Sequence, residues 1–268
     1  MDGRMNLFFP LCIDGGLGQE LYEGAFSLRD YLARSLDFEE LEIESLCDPR
    51  LDRGILGYAA ISQRLALARA FLSARAPERI LAIGGGCGIE VAIVDFLLGR
   101  YPDLKLIWFD AHGDLNSPAS SPSGHFHGMP LRFLLEPDLD EGIRPSGPVL
   151  DPASLRYVGV RSLDPPERDY IESRRIPILG TSDAAGAAEG WEGSPVYVHV
   201  DLDVLDPLDY PNVKCPEPGG LRLAGLAESL RALPGSCRLV GMSLVENTAT
   251  DPASLARLES VFDIARSL

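Results

Sequence analysis

Short β-rich runs alternate with stretches of helical spacing along this chain, and that alternation constrains its fold more than any other feature. Strands are predicted at Leu7–Ile13, Ile80–Ile83, Leu104–Phe109, Leu155–Val160, Val196–Val200 and Arg238–Leu244. Helices are predicted between them, at Glu23–Ser35, Tyr58–Ala74, Ile89–Gly99, Pro165–Arg174, Ala224–Ala232 and Pro252–Arg266. Runs such as Leu106-Ile107-Trp108-Phe109 are apolar at successive positions, as strands covered on both faces must be. Ile61, Leu65, Ala68 and Leu72 recur at helical spacing. Such alternation predicts an α/β fold with a parallel sheet and helices on both faces. Ser117–Gly124 and Gly180–Ser194 read as loops, and no repeat or composition break divides residues 1–268, so one domain is expected.

Charge narrows the classes of partner. The chain has 24 Lys+Arg against 40 Asp+Glu, a net charge of −16. That excess argues against nucleic acid and anionic membranes, which reward clustered cations. No apolar run approaches the roughly 20 residues of a membrane helix, and no signal-peptide core is visible near Met1. The cysteines (Cys12, Cys47, Cys87, Cys215, Cys237) are odd in number, spread out and without a CxxC pair. They are no disulfide framework, so a cytoplasmic location is expected.

Open α/β sheets bind ligands beyond the carboxyl ends of their strands. One predicted strand ends in Asp110-Ala111-His112-Gly113-Asp114 and another in His199-Val200-Asp201-Leu202-Asp203. Residues two apart in extended chain share a face, so Asp110, His112 and Asp114 converge, as do Asp201 and Asp203. Asp and Gly after a strand are also ordinary turn chemistry. A second carboxylate pair at another strand end is harder to explain that way, because unpaired carboxylates are rarely buried. A divalent cation is the natural compensation, and mixed Asp/His donors suit Mn²⁺ or a similar ion.

Asp110–Asp114, Ser123-Gly124-His125-Phe126-His127-Gly128-Met129-Pro130 and Asp201-Leu202-Asp203-Val204-Leu205-Asp206-Pro207 resemble, in order and spacing, the signature segments of the arginase/agmatinase (ureohydrolase) family. The resemblance runs from about Ile80 to the C-terminus. It implies a three-layer α/β/α fold with a central, mostly parallel eight-stranded sheet. It also implies two Mn²⁺ ions per chain and a trimer or hexamer. Asp110 and Asp201 would bridge the metals, Asp114 would bind the first, and His112 and Asp203 the second. A hydroxide between the ions would attack the guanidinium carbon. Asp203 would help handle its proton, His127 would pass the proton to the leaving amine, and Glu246 would pair with the guanidinium. Asn116, Ser121, Ser123 and His125 fall where the family contacts an amino-acid carboxylate, and Asp164 and Glu167 where it receives the α-amino group. Asp164-Pro165 is equally a good helix start.

The chain departs from the pattern at three places. Cys87, in Gly84-Gly85-Gly86-Cys87, stands where the family has its first metal-binding histidine, and Gly86 replaces the preceding aspartate. A thiolate ligand there would favour softer ions, whereas a small buried cysteine would bind nothing. His199 is set back from Asp201 on the same face by roughly 6.6 Å, at about 3.3 Å per residue. Three uses stay open for it: a hydrogen-bonded core histidine or support behind the metal ligands, which are the commoner ones, or replacement of the missing imidazole. His125 stands where an asparagine is usual and Cys215 where a threonine is usual. The expected function is metal-assisted hydrolysis of a guanidino C–N bond, first of all L-arginine to L-ornithine and urea. Agmatine, guanidinobutyrate and formiminoglutamate are the alternative substrates, and a non-catalytic binding protein is the alternative class.

Overall fold

Along each strand, successive residues go to opposite sides of one sheet, with the alternation shifted by a bulge between Leu239 and Gly241. The computed structural model describes residues 3–11, 18–41 and 50–268. The strands are β1 (Arg4–Phe9), β2 (Glu39–Glu40), β3 (Arg79–Gly84), β4 (Lys105–Phe109), β5 (Leu155–Val158), β6 (Ile178–Leu179), β7 (Pro195–Asp201) and β8 (Arg238–Val245). They form one eight-stranded sheet in the order β2-β1-β3-β8-β7-β4-β5-β6. Every pairing in it is parallel. A separate antiparallel pair joins Leu51–Asp52 to Ile55–Leu56.

The helices are α1 (Gly18–Leu32), α2 (Tyr58–Arg75), α3 (Glu90–Arg100), α4 (Pro130–Leu135), α5 (Pro165–Arg174), α6 (Leu223–Ser236), α7 (Pro252–Ala256) and α8 (Glu259–Ser267). Helices α2 to α5 cover one face of the sheet, over Leu7, Ala82, Leu106, Trp108 and Tyr197. Helices α1, α6, α7 and α8 cover the other, over Phe8, Ile83, Ile107, Val198 and Leu244. The result is the expected three-layer α/β/α arrangement. Strand β7 is buried at all of its positions. Its Val196, Val198 and Val200 each contribute roughly 1.5–3 kcal/mol by leaving water.

Pro165–Arg174 is a helix with the predicted bounds. The first predicted strand is shorter, ending at Phe9, and Cys12 and Ile13 lie outside the described residues. The predicted final helix is two, broken at Arg257-Leu258, so that Leu255 and Leu258 both reach the core. The edge strands β2 and β6 and the short helix α4 were not predicted. Two-residue strands pair only through backbone and carry no readable alternation. Among the described residues, Cys87, Cys215 and Cys237 are free thiols, and no helix is long and apolar enough to cross a membrane.

Candidate metal centre

Four adjacent strands, β3, β8, β7 and β4, bring their carboxyl ends to one edge of the sheet. Cys87 follows β3, Glu246 follows β8, Asp201 ends β7 with Asp203 in the next turn, and Asp110, His112 and Asp114 follow β4. The turns are tied by their own carboxylates. His112 N–H donates to Asp110 Oδ1 (2.6 Å), Asp203 N–H to Asp201 Oδ1 (2.7 Å) and Ala111 N–H to Asp203 Oδ1 (3.1 Å). Glu246 N–H donates to the Gly85 carbonyl (2.7 Å), fastening the end of β8 to the Cys87 turn. A Cβ on Gly86 would lie 2.9 Å from Glu246 Oε1, so glycine lets that carboxylate close on the backbone. Asp114 and Glu246 have φ of 52° and 63°. Such strain costs on the order of 1–3 kcal/mol per residue and persists where the surroundings over-determine it.

Two sets of donor atoms approach within 4.8 Å of one another: Cys87, Asp110, His199 and Asp201, and Asp110, His112 and Asp203. Asp110 belongs to both. Cys87 Sγ donates to Asp201 Oδ2 (3.0 Å) and lies 4.0 Å from Glu246 Oε1. His112 Nδ1 lies 3.0 Å from Asp203 Oδ2 and 3.5 Å from Asp110 Oδ1. Of the expected metal ligands, Asp114 falls outside both sets. It is nonetheless buried, and its Oδ2 has no hydrogen-bond partner.

The electrostatics call for positive charge. Burial, then Asp110, pushes the Asp114 carboxyl well above the usual range; burial, then Asp203, does the same to Asp201. Burial, then Asp110, raises Asp203. Burial also pushes up the Cys87 thiol, and Asp114, Asp201, Glu246 and Asp110 add to it. Burial opposes the charged forms of His112 and Asp110, but their mutual contact wins: it holds Asp110 below its usual range and, with Asp203, pushes His112 to about 12. A proton on His112 and a cation beside it are alternative ways of neutralising the same carboxylates. The donor set fits divalent cations, because so many buried acids with an orphaned oxygen lack other compensation.

The centre forms the floor of a cleft of about 140 Å³. Cys87, His112, Asp114, Asp201, Asp203, His127 and Glu246 line it, as do Asn116, Ser121, Ser123, His125, Asp164, Glu167 and Cys215. Asp110 and His199 lie beneath them, fully buried. His127 Nδ1 is 3.6 Å from Glu246 Oε1, and its ring meets His125 edge-on at 5.7 Å. The Ser121 and Ser123 hydroxyls accept from Gly124 N–H (3.0 Å) and His125 N–H (3.2 Å), which leaves each its own proton to donate. Asp164 and Glu167 form a capping box at the start of α5. Asp164 also accepts from Asn116 Nδ2 (2.8 Å), and Glu167 Oε1 from Leu115 N–H (2.9 Å). The helix-start reading of these two acids is therefore borne out, and both also line the cleft.

Three supporting residues were not singled out from the sequence. Glu90 is fully buried at the head of α3, with Oε1 2.9 Å from His199 Nδ1. Its signal was an acid opening the apolar run Glu90-Val91-Ala92-Ile93-Val94. Trp108 Nε1 donates to Asp110 Oδ2 (2.9 Å). Arg161 donates to the carbonyls of Asp203 (2.8 Å), Glu217 (2.7 Å), Gly159 (2.9 Å) and Pro218 (3.1 Å), pinning the turn after β7.

Comparison with known proteins points one way. A family model described as the arginase family matches residues 20–261. An arginase of Staphylococcus aureus (strain MRSA252) is 36% identical over 178 residues, which cover 62% of this chain and 59% of that relative. The match thus spans about three-fifths of the curated relative's length. The structure of arginase from Bacillus caldovelox aligns with a TM-score of 0.79 at 26% identity, over 99% of this chain and 98% of that one. An Entamoeba histolytica arginase, solved in complex with L-ornithine, aligns at 0.82 over 98% of both chains; at 19% identity that likeness is one of fold.

Proposed function

Because the chain belongs to the arginase family, we propose that it hydrolyses a guanidino C–N bond and releases urea, with L-arginine to L-ornithine as the first substrate. One observation carries the reading: acids and imidazoles from four neighbouring strand ends share the floor of one cleft, with Asp110 common to two donor sets. Asp110, His112 and Asp203 would hold one cation; Asp110, Asp201 and Cys87 would hold the other, with Asp114 beside them. Such cations would lower the pKa of water to near neutrality and so supply the nucleophile. Mn²⁺ is the ion the family resemblance implies.

The chain's own residues do the rest. Glu246 is fixed by its strained backbone and its bond to Gly85, and a carboxylate there suits a planar guanidinium. Asp203 takes the proton lost by the water. His127, beside Glu246 and partly exposed to the cleft, carries it to the leaving amine. Ser121 and Ser123 donate their hydroxyl protons to the substrate carboxylate, with Asn116 and His125 beside them, and Asp164 and Glu167 face its ammonium. A site with both ends favours an α-amino acid. The same reading includes a cytoplasmic trimer or hexamer.

A second reading rests on His125 and Cys215, both of which line the cleft. It assigns another guanidino or formimino compound, such as agmatine, guanidinobutyrate or formiminoglutamate. Urea release, with formamide release for formimino compounds, measured across these substrates with added Mn²⁺ tests both. Turnover highest on arginine supports the first reading. A flat response across the panel sinks hydrolysis and leaves a binding protein.

A further inference from the structure

We infer that His199, through Nε2, supplies the nitrogen ligand of the metal site formed by Cys87, Asp110 and Asp201, with Glu90 holding the ring, and that this site takes Zn²⁺, Co²⁺ or Fe²⁺ in preference to Mn²⁺. The inference rests on reading the cleft floor as a two-metal centre and specifies one half of it.

Cysteine at position 87 removes an imidazole from the turn after β3. His199 brings one to the same atoms from the middle of the sheet, with a ring nitrogen within 4.8 Å of the Cys87, Asp110 and Asp201 donors. Nδ1 is engaged by Glu90 Oε1 (2.9 Å) and by the Ser243 hydroxyl (3.2 Å). A carboxylate accepts, so Nδ1 carries the proton and Nε2 keeps its lone pair. Nε2 is buried and has no hydrogen-bond partner. A core histidine serving only packing would satisfy both nitrogens, because an orphaned buried acceptor costs about 1–3 kcal/mol. The Trp108 ring stacks on the imidazole, with centroids 3.6 Å apart and planes at 22°, which fixes its orientation.

Glu90 completes the argument. It is fully buried beside Tyr197 and His199, a costly place for an acid with no task. Carboxylate to Nδ1–H, with Nε2 left for the metal, is the usual support of a metal-binding histidine. Cys87 and Glu90 sit three residues apart, where one turn runs into α3. That turn therefore presents the sulfur donor and also the acceptor that orients the nitrogen donor. One sulfur, one nitrogen and two carboxylates form a softer set than the Asp110, His112 and Asp203 site, and thiolate selects against Mn²⁺.

X-ray absorption of the full chain loaded with Zn²⁺ alone tests this without reference to turnover. The wild type is expected to show a sulfur shell at about 2.3 Å beside nitrogen and oxygen at about 2.0–2.1 Å. C87S removes the sulfur shell. H199Q halves the imidazole scattering, leaving that of His112, and weakens one of two zinc sites by at least the 10–100-fold typical of losing an outer partner. E90Q weakens that site by about 10–100-fold and keeps the sulfur shell, an effect a purely structural role would not produce. In titration with a large excess of Mn²⁺, the zinc of the Cys87 site is displaced last; loss of that zinc before the other overturns the metal preference. A wild-type spectrum without sulfur overturns the assignment of Cys87, and unchanged imidazole scattering in H199Q overturns that of His199. Sulfur and two imidazoles in a protein inactive on every guanidino compound would sink the proposed hydrolysis and leave this inference standing. An active enzyme with neither feature would do the reverse.

Discussion

Trp108, in β4, and Asp110, just beyond its end, lie two residues apart, and the indole N–H donates to the carboxylate oxygen Oδ2 at 2.9 Å. Asp110 has only two oxygens for the two donor sets it joins, so the direction of each matters. W108F keeps an aromatic ring against His199 and deletes the donor. The expected result is metal affinity lower by about 10–100-fold, as for other outer partners of a ligand. Calorimetric titration with Mn²⁺ and Zn²⁺ measures it, with a melting curve as the folding control.

Asp201 is expected to oppose folding while serving the site. Burial and Asp203 raise its folded pKa above the unfolded value. A carboxyl raised in this way costs stability at pH above its unfolded pKa, because folding then disfavours the charged form. D201N keeps the acceptor for Asp203 N–H and removes the charge. Chelator-treated D201N should melt higher than chelator-treated wild type at pH 7. It should also lose urea release and at least one bound ion. A variant with near-normal turnover would remove Asp201 from the metal centre.

Asp140 supplies the clearest pH dependence away from the cleft. Burial opposes its ionisation, but Tyr58 O–H (2.6 Å), Arg53 Nη1 (3.0 Å) and Gly142 N–H (2.8 Å) hold its pKa below the usual range. The stability it contributes is present above the unfolded carboxylate pKa and is lost as pH falls through the lower folded value. D140N should cost about 1.5–3 kcal/mol near neutrality, the scale of hydrogen bonds to a charged group. The deficit should shrink at acid pH. Melting temperatures of both proteins across pH 3–8 record it; a gap that widens on acidification would mean the sign is wrong.

Asp164 can be separated into its two uses by choice of substrate. D164A loses the cap of α5, at about 0.5–2 kcal/mol, whatever the ligand. If the carboxylate also receives the substrate ammonium, KM for arginine should rise by roughly 10–100-fold, from about 1.5–3 kcal/mol for a charge-assisted bond. KM for guanidinobutyrate, which has no amino group, should change far less. Equal changes for both substrates would leave only the cap.

The sequence by itself determined the parallel α/β architecture, the strand tips that carry chemistry, and the residues that would gather there. Apolar runs, two-residue strand periodicity and helix starts such as Asp164-Pro165 are local properties, and a short window contains them. The acids and the imidazole at two strand tips were legible for that reason, whereas His127, Glu246 and the cleft residues from Asn116 to Glu167 were implied by the resemblance to the arginase family. The tertiary structure decided which residues stand behind the site. Glu90 meets His199 across 109 positions and Cys87 meets Asp201 across 114. The use of His199, open from spacing alone, depends on what faces each ring nitrogen. Asp114 looked equivalent to its neighbours, yet it falls outside both donor sets while lining the same cleft. Edge strands β2 and β6 likewise exist only because a neighbour offers backbone partners. Register between distant strands and the angle of a helix against a sheet are set by packing the whole core at once, and no local pattern of residues encodes them.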